Sequence, residues 1–142
     1  MGCKPSRIEY TEGGKADVFK PQLKDMLRSS YGYDKNDEVQ FTGNLIVAVR
    51  DNKAIGFVEV KNFTSPLSRT KWTRIVNAVV VPEERGKGIL RRLVSLIQTE
   101  NRLIITVDRK WKYAETNRDI WEKLGFTLEP ILTDPDHWIG TR

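Results

Sequence analysis

Hydrophobic and polar positions along this chain change period several times, and each change predicts an element. From Arg7 to Tyr10 polar and apolar residues alternate, which predicts a short first strand broken by Gly13-Gly14. Val18, Phe19, Leu23, Met26 and Leu27 then recur at helical spacing between Asp17 and Ser30, with Pro21 tolerated in the first turn. Asn44 to Arg50 (NLIVAVR) and Ala54 to Lys61 (AIGFVEVK) read as two strands joined by a tight turn at Asp51-Asn52-Lys53. Asn62 to Lys71 reads as a loop or a frayed edge around Ser65-Pro66, and Trp72 to Val81 as a third strand. Three consecutive strands joined by hairpins imply an antiparallel sheet.

The third strand runs into the stretch that organises the rest, Val79 to Val94 (VVVPEERGKGILRRLV). Its β-branched run suits a buried strand. Pro82 stops that run, because it lacks the N–H a ladder requires. After Arg85-Gly86-Lys87-Gly88, the residues Ile89, Leu90, Leu93, Val94, Leu96 and Ile97 recur at helical spacing. Strand, basic glycine turn and helix aim free backbone N–H groups and the positive end of a helix dipole at one point, an arrangement that suits a phosphate. Arg85 and Lys87 add side-chain charge beside it. The turn lacks the Gly-Lys-Ser/Thr of a Walker loop and the three glycines of a dinucleotide fingerprint, and two glycines also serve simply to supply positive φ.

Arg102 to Asp108 (RLIITVD) reads as a buried strand, and its link through a helix predicts that it lies parallel to the preceding strand. A second amphipathic helix is predicted from Ala114 to Leu124, with Ile120, Trp121 and Leu124 inward and Gly125 ending it. Phe126 to Leu128 begins a further strand. Pro130, Pro135 and Asp134–Asp136 mark a loop before a last strand from His137 to Gly140. The expectation is one α+β domain over residues 1–142: a mixed, mostly antiparallel sheet flanked by helices, with a strand–turn–helix core.

Composition narrows the chemistry. A chain of 142 residues with 39% hydrophobic and 30% charged residues matches a globular protein rather than a disordered one. The single cysteine, Cys3, forbids an internal disulfide, and no Cys/His cluster with zinc-ligand spacing exists. With His137 the only histidine, Ser/His/Asp and Cys/His catalysis have one available base, far in sequence from any nucleophile signature. No stretch approaches the length of a membrane span, so the expected location is cytoplasmic. Met1-Gly2-Cys3-Lys4-Pro5-Ser6 fits the formal myristoylation pattern but reads as an ordinary exposed N-terminus. A net charge of +5 favours an anionic partner: a phosphorylated cofactor, an acidic protein surface or a nucleic acid.

Two segments carry a resemblance. Val80-Val81-Pro82-Glu83-Glu84-Arg85-Gly86-Lys87-Gly88-Ile89 resembles the acyl-CoA-binding motif of the GNAT superfamily of N-acetyltransferases. Trp121-Glu122-Lys123-Leu124-Gly125-Phe126 resembles that superfamily's second signature, a helix that ends at Leu-Gly-Phe and enters a strand. Their order and separation also match, and the resemblance extends from about Asn44 to the C-terminus. It implies acetyl-CoA as acyl donor and no metal. The backbone of Ala78, Val79 and Val80 would bond the pantetheine arm. The N–H groups of Arg85, Gly86, Lys87, Gly88, Ile89 and Leu90 would hold the pyrophosphate. A strand N–H would stabilise the developing oxyanion, and an amine bound beside the donor would attack directly, without a covalent enzyme intermediate.

The chain departs from the pattern where Leu90 replaces a small residue, and where Trp121 stands at the position of a tyrosine that protonates the leaving thiolate, a proton indole cannot supply. Asn117 lies one turn from the family's usual asparagine position, which is Ala114 here; a role at the donor is assigned to Asn117 as an expectation. Tyr113 is the nearest substitute acid, although it reads first as a surface or packing tyrosine. For a base, Glu59 is the best acidic candidate, although in the alternating Phe57-Val58-Glu59-Val60 it reads first as solvent-facing; Asp108 is an alternative. The leading expectation is an acyl-CoA-dependent N-acetyltransferase. Its amine acceptor, a protein or a small molecule, would sit between the N-terminal helix, the Tyr31-Gly32-Tyr33 loop and the last strands; a homodimer is left open. A donor-binding protein without turnover is the second expectation. A nucleic-acid-binding domain is the third, drawn from Lys71-Trp72 and Arg109-Lys110-Trp111-Lys112-Tyr113.

Overall fold

A computed structural model of the chain describes residues 7–31 and 39–142. Strand β1 spans Glu9–Glu12, and a 3₁₀ turn over Gly13–Phe19 leads into helix α1, Lys20–Tyr31. Strands β2 (Asn44–Arg50), β3 (Lys53–Thr64) and β4 (Lys71–Val80) follow, then helix α2 (Ile89–Ser95), β5 (Arg102–Asp108), helix α3 (Ala114–Lys123), β6 (Thr127–Ile131) and β7 (Asp134–Thr141). The strands form one mixed, mostly antiparallel sheet in the order β1-β2-β3-β4-β5-β7-β6. Strands β4 and β5 pair in parallel, as the crossover through α2 requires. The chain groups into two compact units: the described residues up to Lys61 together with Val76–Gln98, and Asn62–Ile75 together with Thr99–Arg142.

In the first unit, β2 and β3 form a hairpin in which Arg50 pairs with Lys53. Asp51 and Asn52 both take positive φ, 51° and 61°, the type I′ geometry whose twist matches the strands. Alternate residues of the sheet face two different helices. Leu23, Met26 and Leu27 of α1 share a core with Leu45, Val47, Val49, Phe57 and Val79. On the opposite face Gly56 lies under α2, where an added Cβ would stand 3.2 Å from Ile89 Cγ2 and 3.2 Å from Val80 Cγ2. Even a methyl group at Gly56 would require Ile89, Val80 or the Val79 carbonyl to give by a few tenths of an ångström.

In the second unit, α3 ends in a Schellman motif. The N–H of Phe126 bonds the carbonyl of Trp121 at 3.1 Å and the N–H of Gly125 bonds that of Glu122 at 3.0 Å. Gly125 carries φ +95°, which a side chain would strain. The Leu-Gly-Phe signature is thus a helix cap, and the Trp121 and Phe126 rings meet edge to face at 5.2 Å.

Several boundaries and facings differ from the sequence-based expectations. The α-helix starts at Lys20, and Val18 lies in the 3₁₀ turn with 73% exposure rather than on an apolar stripe. Strand β3 continues to Thr64, because hairpin pairing carries a polar segment further than hydrophobicity alone predicts. Helix α2 closes at Ser95, whose Oγ donates to the Arg92 carbonyl, so Leu96 and Ile97 fall outside it. Ile120 is 41% exposed, whereas Trp121 and Leu124 are buried. Pro130 and Pro135 lie within β6 and β7 rather than in a loop; the ladder is shifted between Pro130 and Ile131, where a missing N–H is tolerated.

Candidate functional site

The glycine turn is built as a set of unclaimed donors. Val81 N bonds Ile55 O, Glu84 N bonds Val81 O and Arg85 N bonds Pro82 O, and the first bond of α2 runs from Arg92 N to Gly88 O. Between these, the N–H groups of Gly86, Lys87, Gly88, Ile89 and Leu90 donate to no other described residue. Gly86 and Gly88 hold φ of +79° and +81°, with open space where each Cβ would stand. The left-handed backbone turns successive N–H groups toward one side, and glycine leaves that side unobstructed. This donor set fits a phosphate-bearing group.

The side-chain charge is arranged differently from the expectation. Arg85 folds back, and its Nε donates to the Val80 carbonyl at 3.0 Å. Lys87 Nζ lies 3.0 Å from Glu84 Oε2, while Arg50 Nη1 lies 2.5 Å from Glu84 Oε1. The Lys87 ammonium, with Arg50 beside it, holds the Glu84 carboxyl below its ordinary range. One carboxylate thus compensates two cations and ties the turn to the end of β2. Sequence reading missed Glu84 because nothing local marks it; its partner Arg50 is 34 residues away.

The preceding strand divides its backbone between two edges. Val81 N bonds Ile55 O of β3, and the Val79 carbonyl points at Gly56 of β3, 3.2 Å from where a Cβ would stand. Alternation along a strand then turns Ala78 and Val80 to the other edge. Pairing with β5 involves Trp72, Thr73 and Arg74 and no later β4 residue among those described. Of the three residues assigned to the pantetheine arm, Val79 belongs to the ladder with β3, and Ala78 and Val80 face a free edge.

Glu59 is 1% exposed, against the expectation of a solvent-facing side chain. Its Oε1 accepts Asn77 Nδ2 at 2.7 Å, and its Oε2 accepts the backbone N–H groups of Thr42 and Gly43, each at 2.9 Å. Beside β4, a cavity of about 350 Å³ lies on the α1 face, floored by Met26, Ala54, Val79 and Val81 and rimmed by Pro82 and Glu83.

Tyr113, Asn117 and Asp108 belong to the second unit. Tyr113 is 50% exposed, its ring edge to face with Trp111 at 5.4 Å and beneath Lys112 Nζ at 4.9 Å. Asn117 sits in the first turn of α3, its N–H on the Tyr113 carbonyl. Asp108 is exposed and accepts the N–H of Lys110. Trp121 is a core residue, 5% exposed. His137 Nδ1 lies 2.8 Å from Asp134 Oδ2. Several of the basic and aromatic residues behind the nucleic-acid expectation are engaged locally: Arg102 lies over Trp72, Arg109 over Trp138, and Lys110 pairs with Asp136. Gly32, Tyr33 and the N-terminal Met-Gly-Cys lie outside the described residues. Among the described residues, no group of three His, Cys, Asp or Glu side chains is placed to hold a metal ion, and no helix is long and apolar enough to cross a membrane.

A family model described as an acetyltransferase (GNAT) domain matches residues 42–128. No curated protein matches the chain. Among solved structures, Naa50 of Arabidopsis thaliana, in complex with the bisubstrate analogue CoA-Ac-MVNAL, is similar with a TM-score of 0.68 at 16% identity, covering 95% of this chain and 97% of that one. The diaminobutyrate acetyltransferase of Paenibacillus lautus, in complex with L-2,4-diaminobutyric acid and coenzyme A, gives 0.63 at 14%, covering 96% and 94%. The glucosamine N-acetyltransferase region of a fungal multi-domain β-N-acetylglucosaminidase gives 0.71 at 14%, covering 89% of this chain; the chain spans 18% of that enzyme's length. At such identities the likeness concerns the fold alone.

Proposed function

The chain belongs to the GNAT acetyltransferase family, and from that membership we propose that it transfers an acyl group, most simply acetyl, from acyl-CoA to an amine. The observation that carries this reading is the row of free N–H groups from Gly86 to Leu90 after a strand with an unpaired edge. A pyrophosphate suits those donors, and the amides of a pantetheine arm suit the groups of Ala78 and the N–H of Val80, whose carbonyl Arg85 already holds. Lys87 then exchanges Glu84 for phosphate, as an exposed ion pair does readily, while Arg50 keeps Glu84 in place. The half-buried Leu90 contributes through its backbone, as does Ile89, whereas the N–H of Arg85 is held by the Pro82 carbonyl, against the expectation that it joins the donor row.

The chemistry is direct attack by a neutral amine. A C–N bond forms at the thioester carbon, the C–S bond breaks, the amine nitrogen gives up a proton and the thiolate gains one. Orientation of donor and acceptor supplies most of what the protein contributes. We assign the proton to the thiolate to Tyr113, since Trp121 is packed in the core, and keep Asn117 as a donor-side residue. The acceptor is an amine of a small molecule or a protein. Trp121 also favours a second reading, a protein that binds the donor without turning it over.

Calorimetric titration with acetyl-CoA, beside dephospho-CoA and ATP, tests the proposal. Saturable binding selective for acetyl-CoA supports it. No binding at millimolar donor sinks it. Tight binding without turnover over a broad amine panel supports the second reading.

A further inference from the structure

We propose that Glu59 is a positioning residue rather than a proton acceptor: through Asn77 it fixes the stretch of β4 whose free edge receives the acyl donor. The inference rests on the donor reading above.

A general base needs an open lone pair within reach of the proton it takes. The Glu59 carboxylate is buried, and three donors converge on it: Asn77 Nδ2 on one oxygen, and the N–H groups of Thr42 and Gly43 on the other. A carboxylate that accepts several hydrogen bonds in a buried place is held rigidly, since moving it would strand all three donors. Its rigidity reaches two segments. Asn77 stands between Val76 and Ala78, and strand alternation directs the backbone groups of both to the free edge. Any rotation of Asn77 about the strand axis therefore displaces the donor-facing amides.

The other segment is the approach to β2. An added Cβ at Gly43 would stand 2.5 Å from the Val60 carbonyl oxygen and 2.8 Å from Lys61 Cγ, so the chain closes on β3 with no room for a side chain. Phe41 packs edge to face on Phe57 at 5.7 Å beside it. One buried carboxylate thus joins this approach and the donor-facing part of β4 to the same point on β3.

The test compares Glu59→Gln, Glu59→Ala and Asn77→Ala in calorimetric binding of acetyl-CoA and of adenosine 3′-phosphate 5′-diphosphate, the nucleotide end that meets only the glycine turn. In Glu59→Gln the amide oxygen still accepts both N–H groups, and its NH₂ donates to the Asn77 amide oxygen once that amide turns over. This variant should bind acetyl-CoA within about threefold of the parent, whereas Asn77→Ala and Glu59→Ala should weaken acetyl-CoA about tenfold, roughly one hydrogen bond's worth of ordering. The nucleotide should bind all variants within about twofold of the parent, because its donors lie after β4.

Equal loss of both ligands, or no loss in Asn77→Ala, would mean that the carboxylate only supports the fold and would overturn the inference. In turnover with butylamine as probe, a Glu59→Gln variant that loses the ascending limb of the pH profile would restore Glu59 as the base and overturn it as well. If Glu59→Ala does not fold, the other two variants decide. A parent protein that binds neither ligand refutes the donor reading itself, and the inference falls with it. A parent that binds both, with an unaffected Asn77→Ala, refutes the inference alone.

Discussion

Arg50, the last residue of β2, and Glu84, in the turn after β4, meet with Nη1 2.5 Å from Oε1, and the same carboxylate takes Lys87 on its other oxygen. The turn that carries the free N–H groups is thereby anchored to the neighbouring hairpin by a group that is not itself a donor.

This anchor makes stability depend on acid pH. The cations beside Glu84 lower its folded pKa from an ordinary 4.5. A depressed carboxyl contributes stability that is complete above the unfolded value and lost as pH falls through the folded one. Glu84→Gln should therefore melt below the parent at neutral pH, and the two melting temperatures should converge as pH falls through the depressed folded pKa. Thermal melts from neutral to acid pH check this; a constant gap across that range would show that Glu84 acts by shape rather than charge.

Gly88→Trp should abolish acetyl-CoA binding while the fold persists. The site of its Cβ is open, so the substitution meets no neighbour at its first carbon, while the indole would occupy the space above the free N–H groups, and the φ of +81° adds roughly 1–2 kcal/mol of backbone strain. Calorimetry with circular dichroism separates the two effects. Unchanged donor affinity would remove the turn as the phosphate site.

Trp121→Ala should destabilise the second unit by about 3–5 kcal/mol, since it removes a buried aromatic and its contact with Phe126. Trp121→Phe, which keeps an aromatic in the core, should recover much of that loss. Chemical denaturation measures both. A small effect of the alanine change would mean that the ring is dispensable to the core and open to another role.

Tyr113→Phe should slow turnover about 10- to 100-fold while donor affinity stays within about twofold, as removal of a proton donor does. The ring packing against Trp111 and Lys112 is kept by phenylalanine. Unchanged turnover would take Tyr113 out of the mechanism.

The chain itself determined the parts of this protein that depend on neighbours in sequence. The β2 and β5 bounds, the Asp51-Asn52 turn, the parallel crossover and the strand–turn–helix order follow from period, β-branched runs and glycine placement, which act over a few residues. The Leu-Gly-Phe cap is legible for the same reason: its bonds span six residues.

Tertiary structure decided what depends on partners far away. Glu59 alternates like a surface residue, and only Thr42, Gly43 and Asn77, 16 to 18 residues distant, make a buried place for its charge. Glu84 is one acid in a polar turn until Arg50 meets it. Val79 and Val80 are identical in sequence, yet the ladder with β3 claims the backbone of one and leaves the other at a free edge. Ile120 and Trp121 share a helix, and packing buried only the tryptophan. Local sequence can specify a period and a turn; which side of a strand is free, and whether a carboxylate is wet or enclosed, is set by what the rest of the chain brings beside it.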